Sequence, residues 1–276
     1  MFVVFDLDRV LIQNPFLFGV FPEVARVLRP YVPAGVPAEE WRTWIVVRIY
    51  ERHRDLLMAG DWVASSDWDG IVNHVAQSLG FAGALDVTGL VRAHARPPYI
   101  AAYPDAAPAL AWLRARARRL YWISNGFARY QLPVMEALGL QNYFDGYFAP
   151  DTHDAVKPHK EIYDAILAAA GEPARKGVMI GDSLTTDVAG GRRAGLYTIW
   201  LDRTLNPVFH GLNPWDIPHS QLFTQYVEDM IRREFAYEAY RLDVLGECIP
   251  DAVITDLTQV PAVIDHLIAC SRLQVS

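Results

Sequence analysis

Lysine is scarce in this chain, cysteine nearly absent, and no apolar run is long. Of 25 basic residues only Lys157, Lys160 and Lys176 are lysines, so a position that keeps an ammonium draws notice, although codon bias produces the same asymmetry. The two cysteines, Cys248 and Cys270, have neither CxxC spacing nor a histidine pattern. That argues against a zinc site or a disulfide framework and suggests two buried thiols in a reducing compartment. No stretch approaches the ~20 apolar residues that span a bilayer, so no membrane partner is expected. No basic leader precedes the first apolar run, so no cleaved signal is expected and the cytoplasm is the expected location. There is no long basic block and the net charge is −7, which argues against a nucleic-acid partner. An acidic protein that handles anions must do so locally, with a few placed donors or a metal ion. Internal repeats and low-complexity tracts are also missing.

What is present is a chain of 276 residues, 52% hydrophobic and 21% charged. It is too apolar for intrinsic disorder and long enough for one large domain or a domain with an insertion. Short, nearly continuous apolar runs recur at Phe2–Leu7, Leu120–Ser124, Phe144–Ala149, Val178–Gly181, Tyr197–Leu201 and Ala252–Thr255. Strands buried on both faces read this way. Between them the pattern predicts helices at Asp105–Arg119, Pro133–Leu138, Lys160–Ala170, Thr186–Ala194 and Val260–Cys270, several stopped by glycine. Strands alternating with helices predict a doubly wound parallel α/β sheet. Two segments break the rhythm. Residues 14–98 lack strand alternation and carry an amphipathic helix at Ala38–Ala59, which predicts a helical insert with turn-forming flanks at Asn14-Pro15 and Pro97-Pro98. Residues 204–250 begin with prolines and continue as a predicted helix, Gln221–Leu242. That segment reads as an extra helix laid on the body, as an oligomer interface or as an edge of the substrate pocket.

The residues suited to chemistry sit where these strands end. Asp6 and Asp8 share a face of the first strand. At its open carboxyl end they can hold a hard divalent cation or act as nucleophile and general acid; otherwise they are a solvated loop end. Ser124-Asn125-Gly126 ends the next run and can donate to phosphate oxygens without adding charge, or is a plain turn. Lys157 is a point charge for a phosphate or a carboxylate, or a solvated lysine. Gly181-Asp182-Ser183 followed by Asp187 ends another strand and enters a helix, where acidic groups can bind a metal or simply complement the helix dipole.

Together these stretches are more specific than any one of them. FVVFDLDRVL, YWISNG, VKPHKEIYDAIL and VMIGDSLTTDVAGGRRAG resemble the haloacid dehalogenase (HAD) superfamily of hydrolases. The resemblance implies a Rossmann-like core from residues 1–13 and 99–276, with 204–250 as an extra insertion. It also implies an α-helical cap domain from 14–98 that closes over the site. Asp6 resembles the nucleophile that forms an aspartyl-phosphate, and Asp8 the acid and then the base. Ser124, Asn125 and Lys157 resemble phosphate-binding groups. Asp6, Asp182 and the backbone carbonyl of Asp8 resemble Mg2+ ligands, and Asp187 resembles a ligand or an anchor behind them. An aspartate at position 8 favours a phosphatase or a phosphomutase over a dehalogenase or a pump ATPase. One departure stands out: the family usually has glycine after the second aspartate, and here it is Arg9. Arg9 pins that turn, binds a second anionic group of the substrate, or is a surface residue in an ordinary conformation. The expected function is a Mg2+-dependent phosphatase of a small phosphorylated metabolite. The alternatives are a phosphomutase with the same residues and a non-catalytic HAD-like binding or scaffold protein. A homodimer is left open.

Overall fold

Phe2–Phe5 forms strand β1 with every residue buried. Val3 and Phe5 enter the apolar cluster on one face of the sheet, Phe2 and Val4 the cluster on the other. A strand covered on both faces has no solvent side, which is why its sequence shows no polar alternation. The computed structural model describes residues 1–270 apart from 236, 241 and 243. Strands β2 (Ile12–Gln13) and β3 (Ala101–Ala102) pair as a short antiparallel ribbon. The main sheet adds β4 (Arg119–Ile123), β5 (Gly146–Phe148), β6 (Gly177–Gly181), β7 (Tyr197–Leu201) and β8 (Ala252–Ile254). Its order is β5-β4-β1-β6-β7-β8 and its pairings are parallel. The chain builds outward from β1 through β4 to β5, then returns to lay β6 on the other side of β1. A site beyond the carboxyl end of β1 therefore lies where the strand order reverses. Register finishes the placement: Phe5 pairs with Trp122 on β4 and with Ile180 on β6. The tails after these three strands start side by side.

The ribbon stands at the two ends of residues 14–98, which carry helices α1 (Phe21–Leu28), α2 (Trp41–Ala59), α3 (Trp68–Ser78) and α4 (Val87–His94). The α2 helix starts after a turn in which the Glu40 N–H donates to the Pro37 carbonyl at 3.0 Å. It stops at Gly60, whose φ of 83° accepts the left-handed C-terminal cap. Buried Phe21, Ile45, Ile49 and Ile71 belong to the same apolar cluster as Val3 and Phe5. The helical layer therefore packs continuously with one face of the sheet.

The remaining helices are α5 (Ala106–Arg114), α6 (Ala128–Ala137), α7 (Pro150–His153), α8 (Lys160–Ala170), α9 (Ala189–Arg193), α10 (Phe223–Ile231), α11 (Val244–Glu247) and α12 (Val260–Ala269). Three predicted helix boundaries move by at least five residues. The α5 helix stops at Arg114, because residues from Arg119 belong to β4. The α6 helix starts before Pro133, since the Asp151 carboxylate from the first turn of α7 accepts from the Ala128 N–H at 2.6 Å and caps its end. The long helix expected at Gln221–Leu242, of which 236 and 241 lie outside the described residues, ends at Ile231 and among the described residues resumes only as a short 3-10 turn at Tyr237–Tyr240. Phe223, Val227 and Ile231 of α10 pack on Trp200 and Val253 in a separate cluster. Each such burial stabilises by about 1.5–3 kcal/mol, so residues 204–250 are docked on the β7–β8 side. Cys248 is buried as expected, but Cys270 is exposed. No described helix is long and apolar enough to cross a membrane.

Candidate active site

Asp6 leaves β1 with its N–H bonded to the Ile180 carbonyl of β6 at 2.9 Å. Its carboxylate therefore starts inside the sheet edge and is buried. Lys157 reaches it from the loop between α7 and α8. The Lys157 Nζ lies 2.5 Å from Asp6 Oδ1 and 2.6 Å from Asp187 Oδ1, and all three groups are buried. Burial works against the ammonium, but Asp187 and Asp6 override it and hold the pKa of Lys157 above its usual value. Burial pushes the Asp6 carboxyl well above the usual range, and Asp187 and Asp182 add to the rise while Lys157 opposes it. Asp182 is pushed up to about 7, first by burial and then by the charge of Asp187.

Asp187 sits against β6 only because residue 181 is glycine: a Cβ there would lie 2.2 Å from Asp187 Oδ2. That oxygen accepts from the Ser183 N–H at 3.1 Å, and the other holds Lys157. With both oxygens engaged, the geometry of Asp187 is that of an anchor for Lys157. The Asp182 backbone is fixed by the Trp200 indole N–H, which donates to its carbonyl at 2.8 Å.

Asp8 faces a different set of partners. Asn14 Nδ2 donates to one oxygen at 2.6 Å and Gln131 Nε2 to the other at 2.8 Å. Burial raises its pKa, and these two hydrogen bonds oppose the rise. Gln131 also donates to Ser124 Oγ at 3.2 Å, and the Gly126 N–H donates to the same oxygen at 2.9 Å. Because Ser124 Oγ accepts two bonds, its own proton is left to donate toward the site. The Asn125 side chain braces Lys157, accepting from its N–H at 2.7 Å and donating to its carbonyl at 3.0 Å. Its amide oxygen is thus used on the loop, not on a ligand.

Arg9 does not adopt an ordinary conformation: its φ is 64°, in the left-handed region that favours glycine. Arg203 holds the turn, donating to the Arg9 and Val10 carbonyls at 3.3 and 2.9 Å, and is itself paired with Asp105. The Arg9 side chain is 82% exposed, with Nε 3.3 Å from Asp182 Oδ2.

Three residues that the motif reading passed over belong here: Asn14, Gln131 and Glu234. Asn14 was visible only as a turn former, and Gln131 lies a helical turn into α6 with no motif around it. Glu234 reaches in from 204–250. It accepts from Ser183 Oγ at 2.8 Å and from the N–H groups of Leu184 and Thr185 at 2.6 and 3.1 Å, and also binds the Thr185 hydroxyl.

Asp6, Asp182 and Asp187 each offer an oxygen within 4.8 Å of the others. Three carboxylates face one buried ammonium and the exposed Arg9 guanidinium, an excess of negative charge, and the carboxylates offer hard oxygens. A divalent cation such as Mg2+ fits that setting. The Asp8 side chain is not in the cluster. The ensemble opens on a hollow of about 530 Å³ lined by Asp6, Asp8, Ser124, Lys157 and Asp182.

The family model of haloacid dehalogenase-like hydrolases matches residues 1–195. A pyrimidine 5'-nucleotidase of Escherichia coli is 36% identical over 116 residues, which are 41% of this chain and 51% of that protein. The chain spans about half the length of the curated relatives it matches in this way. Among solved structures, a HAD phosphatase from Thermococcus onnurineus superposes with a TM-score of 0.65 at 22% identity, covering 95% of this chain and 96% of that one. The L-2-haloacid dehalogenase of Xanthobacter autotrophicus gives 0.56 at 19% identity, covering 96% and 98%. At these identities the likeness is one of fold.

Proposed function

The chain belongs to the haloacid dehalogenase-like hydrolases, and on that premise we propose that it is a Mg2+-dependent phosphatase of a small phosphorylated metabolite. The observation that carries the reading is Lys157 Nζ, buried between Asp6 and Asp187 at 2.5 and 2.6 Å, beside Asp182. Asp6 attacks phosphorus, and the bond from phosphorus to the ester oxygen breaks as Asp8 hands its proton to that oxygen. A water then attacks the aspartyl-phosphate, Asp8 takes its proton, and the phosphorus–Asp6 bond breaks to release inorganic phosphate. Ser124 and Lys157 hold the phosphate oxygens, and positioning and charge stabilisation do most of the work. Bound by Asp6, Asp182 and the backbone carbonyl of Asp8, Mg2+ would neutralise charge so that an anionic nucleophile meets an anionic phosphate.

Asp8 favours ester hydrolysis over dehalogenation. An alkoxide needs a proton to leave and a halide does not; burial raises the pKa of Asp8, which favours the acid form that supplies it. The match to a nucleotidase supports phosphate chemistry. The full catalytic set argues against a non-catalytic scaffold, and nothing in the site favours a phosphomutase. The test is Asp6→Asn, an isosteric change. With Mg2+ present, phosphate release from a panel of monophosphates should fall by at least about a thousand-fold, with the melting temperature kept within a few degrees. Retained release rejects Asp6 as nucleophile.

A further inference from the structure

A second hollow, of about 680 Å³, adjoins the phosphate hollow. Asp8, Arg9, Asn125, Gly126, Phe235 and Tyr240 line both, so they mark the junction. The walls of the second hollow are aromatic. Phe21 comes from α1, Tyr50 and His53 from α2, Trp68 from α3, and Phe235 from the 204–250 segment. These rings fix one another. Phe21 and Tyr50 meet Trp68 edge to face with centroids 5.6 and 5.9 Å apart, and Phe235 lies parallel to His53 at 5.2 Å. The wall is also tied to the core, because Arg129 Nη2 lies 2.6 Å from Asp67 Oδ1 and the Tyr130 hydroxyl donates to Asp69 Oδ2 at 2.9 Å. A chamber held in this way binds without first being ordered. Among the described residues lining it, Asp8 and Arg9 alone carry a full charge besides any on His53, and burial lowers the pKa of that imidazole. Asp8 and Arg9 both line the phosphate hollow as well. Among the described residues an anionic substituent on the alcohol would find no fixed cation deeper in, whereas a flat ring would find apolar and aromatic surface of pocket size.

We propose that the alcohol half of the substrate carries a flat aromatic or heterocyclic ring, which this chamber takes while Asp6 and Lys157 take the phosphate. The proposal rests on the phosphatase reading above. It can be tested with four esters of primary alcohols, so that leaving-group reactivity is similar. They are a nucleoside 5'-monophosphate, 3-phenylpropyl phosphate, ribose 5-phosphate and phosphoglycolate, each assayed with the full chain and Mg2+. The kcat/KM of at least one ring-bearing ester should exceed both ring-free ones by at least about ten-fold. A lead for the nucleotide identifies a heterocycle with polar edges; a lead for the phenylpropyl ester identifies an apolar ring. Phe235→Ala, at a side chain 48% exposed, should narrow the gap. Equal rates on all four, a preference for phosphoglycolate, or a gap unchanged in Phe235→Ala overturns the proposal and leaves the phosphatase standing. Hydrolysis of none of them, or of any other monophosphate, removes the phosphatase reading and this one with it.

Discussion

Arg9 holds a left-handed φ of 64° at the lip of the site, where a side chain costs on the order of 1–3 kcal/mol. The Arg203–Asp105 pair enforces the turn by binding the carbonyls of residues 9 and 10. The sequence showed that a glycine was missing; it could not show that the glycine's conformation had been kept. The Arg9 guanidinium also sits 3.3 Å from an Asp182 oxygen, where it competes with a cation for that carboxylate. Arg9→Gly should therefore lower the Mg2+ concentration for half-maximal activity by about two- to five-fold, the range expected for an exposed ion pair. It should not reduce the melting temperature, since strain is relieved while backbone entropy is lost. A Mg2+ titration with parallel thermal melts checks both, and a weaker Mg2+ response would contradict the competition.

Between elements, the most informative feature is the break after α10. Local pattern gives no reason for a stop there: residues 232–235 hold neither glycine nor proline, and aromatics continue beyond. The reason is tertiary. Leaving the helix lets Glu234 accept from the N–H groups of Leu184 and Thr185 just after Asp182. The start of α6 was hidden for the same reason, since Asp151 caps it from α7. Local runs and glycine stops were readable because they are short-range; caps and clamps drawn from distant segments were not. Glu234→Ala removes a half-buried acceptor from several donors, and a charged hydrogen-bonded group is worth about 1.5–3 kcal/mol. It should lower the melting temperature by about 5 °C and raise the Mg2+ requirement several-fold, with Glu234→Gln intermediate. Unchanged Mg2+ activation in a destabilised Glu234→Ala chain would reduce the clamp to a packing role.

Across the whole molecule, the sheet brings Asp6, Ser124 and Asp182 together because β4 and β6 flank β1 in one parallel register. Six apolar runs sufficed to foresee that edge, while the aromatic chamber depended on how 14–98 and 204–250 dock, which no run of residues encodes. The price of the edge is buried negative charge, and its pH dependence has a definite sign. The Asp182 pKa is about 7 in the folded chain against 3.8 for the ordinary carboxyl, and that of Asp6 is raised in the same direction. Between those values the folded state binds protons that the unfolded state does not. The metal-free chain therefore loses this contribution as pH rises from about 4 through 7. Mg2+ binds the deprotonated carboxylates, so its stabilisation should be larger above that window. At a free concentration of ~100 times Kd, ligation adds about 2.7 kcal/mol, or roughly 5–10 °C for a chain of this size. Melts at pH 8 should show an upshift of that order that EDTA reverses, and at pH 5.5 the shift should be less than half as large, because protons compete for the same oxygens. Equal shifts at the two pH values would mean that the cation binds elsewhere and that the acidic cluster is not its site.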